Sequence, residues 1–205
     1  MIDNRSPIKK PPPGPRVRQP GVIFIHNDVK PGLAAHVIDS LAIAANEPIT
    51  LRLNCKGGDW NEATAIYNAL AAHKPGVTIQ IDGAAHGPVV LFLALGKVTC
   101  GTAIDIALLN PTTTVCGDSR AMRKAADLLQ KDGEFLISLL SKKTLQNPAT
   151  ICAWLAEKRH FNAHEALAAG LIDVIADPFN PAHGLTENRI DSLNRQLFNQ
   201  VAGLQ

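Results

Sequence analysis

Aromatic residues are scarce, only 4% of a 205-residue chain, so any core must be aliphatic, built from Ala, Leu, Ile and Val. Long apolar runs are missing too. The longest, Pro88 to Leu95 between Gly87 and Gly96, falls far short of the ~20 residues a membrane helix needs. Basic residues at the N-terminus are followed by no apolar stretch, so no secretory leader is expected. The four cysteines, Cys55, Cys100, Cys116 and Cys152, form no C-x-x-C pair. They read as reduced thiols of a cytoplasmic protein, not as a disulfide framework or zinc ribbon. A charge excess is also lacking. The formal net charge is +2, and residues 1–20 alone hold Arg5, Lys9, Lys10, Arg16 and Arg18 against Asp3. The remaining 15 basic and 17 acidic residues nearly balance, which excludes a basic nucleic-acid-binding face. No internal repeat is present.

What is present is an ordinary globular composition, 46% hydrophobic and 19% charged, at a length that suits one domain of roughly 150 residues with tails. Residues 7–20 contain six prolines and predict an extended, disordered tail over residues 1–20. From Gly21 the pattern changes. Val22–Ile25 reads as a buried parallel strand, and Leu33 to Ala45 carries a helical stripe that stops before Pro48. A strand at Ile49 to Asn54, the Gly57-Gly58 turn and a helix from Glu62 to His73 follow. Then come a strand at Val77 to Ile81 and a helix opening near Gly87-Pro88, where Pro suits a first turn. Strands are predicted at Val98–Cys100 and Ile104–Leu109, and a long helix over Ser119–Lys143, interrupted or strained at Gly133. Helices at Ala149–Lys158 and Ala163–Ala169 and a strand at Leu171–Ile175 complete a domain over residues 21–177. Residues 178–205 form an extension with an amphipathic helix, Ile190 to Val201. Strands and helices alternating over short loops imply crossovers and a mostly parallel α/β sheet.

Six segments, in order from Gly21 to Asp177, carry a family resemblance. GVIFIHNDV is similar to an opening strand, and LNCKGGDWNEATAIYNAL to a strand, double-glycine turn and helix. IDGAAHGPVVLFLALG is similar to a nucleophile segment, and LLNP to the base segment. SRAMRKAADLL matches a long handle helix, and HEALAAGLIDVI a closing helix and strand. Together they resemble the Clp protease proteolytic subunit and its phage prohead-protease relatives. The resemblance implies the fold that family shares with the crotonase group: repeated ββα crossover units, a mostly parallel sheet and a handle helix. It also implies serine-type peptide hydrolysis in rings or stacked rings, and hence a homo-oligomer that handles a peptide or protein partner.

The same resemblance places the nucleophile at His86, the base at Leu109 and the orienting acid at Lys158, with Glu157 or Arg159 one residue away. Leu109 accepts no proton, so no hydroxyl could be activated there. The implied activity is therefore expected to be absent, leaving a structural or regulatory subunit. The backbone N–H groups of Gly57, Gly58 and Gly87 match the family's oxyanion hole, although tight turns also require glycine.

Three other chemistries compete. Cys55 beside His86 would make a rearranged nucleophile pair, but cysteine is more often buried and inert. His160 and His164 stand four residues apart across a helix start, with His86 remote in sequence. They read as solvated or hydrogen-bonded rings, so neither metal nor cofactor is expected. Asp59, Asp82, Asp105 and Asp118 fall near strand ends, where capping explains them. Trp60 could stack on a ligand or pack against a neighbouring subunit. Acyl-CoA chemistry of the crotonase kind is disfavoured, because the chain lacks that group's C-terminal elements.

Overall fold

A computed structural model describes residues 21–176. The proline-rich tail, the C-terminal extension with its Ile190–Val201 helix, and Asp177 lie outside the described residues.

The chain alternates strand and helix, as its periodicity predicts. In order, the elements begin β1 (Val22–Ile25), α1 (Leu33–Ala44), β2 (Ile49–Cys55), α2 (Trp60–Ala71) and β3 (Val77–His86). A 3₁₀ helix (Gly87–Ala94), β4 (Lys97–Cys100), β5 (Asp105–Ala107) and α3 (Ser119–Thr144) follow. The body closes with α4 (Pro148–Ala156), β6 (His160–Phe161), α5 (Ala163–Ala169) and β7 (Val174–Ile175). Strand order is β1-β2-β3-β4-β7, with every neighbour parallel. β5 also runs parallel to β3, and β6 runs antiparallel to β5.

One face of the sheet makes the core. Ile23, Ile25, Leu51, Leu53, Ile79, Ile81, Val98 and Cys100 alternate onto it and are buried. They meet Val37 of α1, Ile66 and Leu70 of α2, Val89 to Leu93 of the 3₁₀ helix, and Leu136 and Leu140 of α3. Burying each of these large aliphatics is worth about 1.5–3 kcal/mol. The other face stays polar at its centre, where the Arg52 guanidinium grips Asp82 and His26 donates or accepts at the same carboxylate.

The edge of β3 is divided between two partners. Thr78–Ile81 pairs with β4, and Ala84–His86 pairs with β5. The change falls at Gly83. Asn54 Oδ1 accepts the Ala84 N–H at 3.1 Å, and a Cβ on Gly83 would crowd that oxygen at 2.7 Å. The β2–β3 register slips at the same level, between Leu53 and Cys55. This bend carries β3 past its predicted end at Ile81, so His86 finishes a strand.

Several boundaries differ from expectation for local reasons. α3 is continuous through Gly133, because one glycine costs only about 1 kcal/mol against Ala and its flanks are strong helix formers. α2 starts at Trp60, two residues early, because Asp59 accepts the Glu62 N–H at 2.9 Å. The segment after Gly87 is 3₁₀ rather than α, and five successive side chains from Val89 to Leu93 are buried. α1 lacks a side-chain cap of its own; Glu62 Oε2 takes the Ala34 N–H at 2.8 Å from α2. β5 and β7 are shorter than expected, and β6, only two residues long, exists through its pairing with β5.

Candidate functional site

The double glycine sits where β2 hands over to α2. Gly57 and Gly58 hold φ of 149° and 130°, a region open to glycine and costly for other residues. Val29 N–H donates to the Gly57 carbonyl at 2.9 Å, and Asp59 N–H to the Val29 carbonyl at 2.8 Å. In a parallel bridge these flanking bonds leave the N–H and C=O of the middle residue, Gly58, pointing away from Val29. Gly87, at φ 61°, begins the 3₁₀ helix. A Cβ on it would stand 4.0 Å from the Gly57 Cα and 4.0 Å from Leu109 Cδ1. Residues far apart in sequence therefore meet at one spot, with His86 next to it. Lys158 is exposed in a left-handed turn (φ 51°) after α4, its N–H donating to the Leu155 carbonyl at 3.2 Å. The carbonyl of the next residue, Arg159, accepts the Leu108 N–H at 3.0 Å, so Lys158 stands near Leu109.

His86 is engaged on its other side. Register places His86 opposite Ala107 on β5, and Ala107 opposite His160 on β6. Asp105 precedes Ala107 by two residues and so projects from the same face. Ala107 is small and buried, and the two rings reach past it to the carboxylate. His86 Nε2 lies 2.8 Å from Asp105 Oδ2, while His160 Nδ1 lies 2.9 Å from Oδ1 and 3.0 Å from Oδ2. The rings meet edge to face, with centroids 5.5 Å apart. Partial burial pushes the Asp105 carboxyl up. The His160 hydrogen bond, the charges of both imidazoles and the His86 hydrogen bond outweigh it, leaving the carboxyl below its ordinary range. Such a group can hold a proton pattern or a divalent cation.

This corrects the separation of His86 from His160 suggested by their distance in sequence. His164 does not join them; it is exposed on α5. The aspartates divide. Asp59 and Asp118 cap α2 and α3 as expected, while Asp82 and Asp105 lie in strands and pair across the sheet. Trp60 packs against the edge of the core.

Cys55 is buried and aligned with Ala85, so it shares that residue's face of the sheet and not the face of the next residue, His86. Its thiol donates to the Gly57 carbonyl at 3.1 Å. Burial is the main reason its pKa is raised, and the backbone hydrogen bonds only partly oppose this.

The crossover sheet, double-glycine turn and long α3 agree with what the sequence profile of one family, Clp protease, matches over residues 15–178. The chain belongs to the Clp protease family. Among curated relatives, ATP-dependent Clp protease proteolytic subunit-related protein 2, chloroplastic, of Arabidopsis thaliana is 27% identical over 164 residues. That alignment takes in 77% of this chain and 59% of the relative, so the chain spans well under two thirds of it. ATP-dependent Clp protease proteolytic subunit 6, chloroplastic, from the same plant is 27% identical over 200 residues, 84% of this chain and 74% of that protein. Within this Clp protease fold, the feature that sequence reasoning missed is the joining of His86, Asp105 and His160. Their separations of 19 and 55 residues carry no motif; only the pairing of β3, β5 and β6 unites them.

Proposed function

We propose that this Clp protease family member is a catalytically degenerate serine-peptidase homologue, a structural or regulatory subunit of a homo-oligomer. The observation that carries the reading is the pair at the double-glycine spot. An alkyl group, Leu109 Cδ1, stands against Gly87 where the resemblance implies a base, and the adjacent His86 imidazole is bound to Asp105. Residue 86 offers no hydroxyl nucleophile and residue 109 no proton acceptor, and serine-type acyl transfer needs both at those positions. One relative's name, which says subunit-related, supports the reading without describing this chain.

Support for the oligomer comes from α3. It runs 26 residues, and its buried residues, Leu136, Leu140 and Thr144, all lie in its last third. The preceding turns carry Met122 and Leu128, both more than half exposed. A peptide or protein partner and a cytoplasmic setting belong to the same proposal. The second rests on four free thiols. Among the described residues, no helix is long and apolar enough to cross a membrane.

The test is incubation of the full chain with a fluorophosphonate probe, casein and short fluorogenic peptides. No labelled serine and no turnover is the expected result. Covalent labelling of a serine, or hydrolysis that the probe abolishes, overturns the proposal.

A further inference from the structure

We infer that His86, Asp105 and His160 bind one divalent transition-metal ion of the zinc class, leaving a fourth coordination position open to water. The inference goes beyond the reading above and holds whether or not the chain cleaves peptides.

The donor set is the first argument. Two imidazole nitrogens and one carboxylate oxygen form the three-ligand arrangement that zinc uses when one position stays open. Magnesium and calcium prefer six or more oxygens and are poorly served by two imidazoles. Sulfur plays no part, since Cys55 and Cys100 face the core and no cysteine belongs to the cluster.

Geometry is the second. Among the described residues this is the one group of three such side chains whose ligand atoms converge, all within 4.8 Å of one another. A tetrahedral ion with bonds of about 2.0–2.1 Å needs ligand atoms roughly 3.3 Å apart. The 2.8 and 2.9 Å contacts must therefore open by about half an ångström, while the two imidazole nitrogens, at most 4.8 Å apart, close by up to about 1.5 Å. Each neutral ring moves its proton to the remote nitrogen and presents a lone pair to the ion, so no net proton is required.

Placement is the third. His86 is held at the end of β3 with its side chain only 14% exposed, whereas Asp105 and His160 are 45% and 59% exposed. One ligand is fixed from below and two close from a wet rim, which gives an ion both a rigid anchor and an entry path. As an ion pair alone, such an exposed carboxylate–imidazole contact would contribute little to stability.

The experiment uses the full chain with Cys116→Ser and Cys152→Ser, which removes the exposed thiols as competing ligands. Zn²⁺ is titrated by calorimetry and Co²⁺ by visible absorption. The expected result is one ion per chain, with cobalt d–d bands of a low-coordinate nitrogen–oxygen site and no thiolate charge-transfer band. His160→Gln and Asp105→Asn should each weaken zinc binding at least about 100-fold, since even outer-shell changes cost 10–100-fold. His164→Gln, on the neighbouring helix, should change nothing. Circular dichroism confirms that the variants fold, and the cobalt spectrum of the chain with its ligands intact is a test that needs no ligand variant. Absence of stoichiometric binding at millimolar metal, a thiolate band, or unchanged affinity in His160→Gln overturns the inference.

Discussion

Gly58 lies directly against the backbone of Val29, and a Cβ at residue 58 would overlap the Val29 nitrogen, Cα and carbonyl oxygen. Gly57, one residue earlier, meets nothing within 4 Å at the same imagined atom. Both hold positive φ, so both resist substitution, but only Gly58 is also closed in by backbone that cannot give way. The turn that aims these amides is therefore specified twice, by conformation and by contact.

The two glycines should separate in urea denaturation. Gly57→Ala should lose about 1–3 kcal/mol, the cost of a strained backbone. Gly58→Ala adds a steric overlap and should lose more, or fail to fold. Equal losses would show that the Val29 contact yields.

Acid should act through Asp173. Its carboxylate accepts from Lys143 Nζ at 2.8 Å and from the Val98 N–H at 2.7 Å, tying β4 to the end of α3. Burial raises its pKa, yet the Lys143 hydrogen bond, the Val98 N–H and the charges of Lys143 and Lys97 lower it more, to below the ordinary 3.8. A carboxylate depressed by folding contributes stability that is complete above its unfolded pKa and fades as pH falls through the folded one. Asp173→Asn should therefore lower the urea midpoint at pH 7 and matter progressively less below about pH 4. A difference that grows on acidification would contradict this sign.

Thiol reactivity should follow exposure. Cys116 and Cys152 are exposed, while Cys55 and Cys100 are buried with pKa raised chiefly by that burial. Iodoacetamide should modify the first pair in the native protein and the second pair only after unfolding. His86→Ala should leave Cys55 as slow as before. Rapid, His86-dependent labelling of Cys55 would instead revive a Cys–His nucleophile.

Self-association should depend on the early turns of α3. Leu136 and Leu140 are fully buried in the core, so glutamate there should unfold the chain. Met122 and Leu128 are 55% and 53% exposed. Met122→Glu with Leu128→Glu should lower the mass seen by light scattering while leaving the circular dichroism spectrum intact. A full-length chain that is monomeric at tens of micromolar, well above typical oligomer dissociation constants, would remove the oligomer from the proposal.

The sequence by itself determined the α/β class, most elements and the double-glycine turn, because these are local. Val22–Ile25 and Ile49–Cys55 show apolar patterns of buried strands, Asp59 and Asp118 announce helix starts, and Gly57-Gly58 marks a turn. The absence of a serine at 86 and of a histidine at 109 was equally legible, since a side chain's identity needs no fold. Tertiary structure alone decided which half of α3 is core and which is exposed, because its apolar residues outnumber the positions that touch the sheet. It alone brought Asp105 between His86 and His160. That meeting depends on β3 bending at Gly83, on β5 taking over its edge, and on a two-residue strand whose sequence has no period to detect. Hydrogen-bond register across non-adjacent strands is a property of the assembled sheet, and no spacing along the chain encodes it.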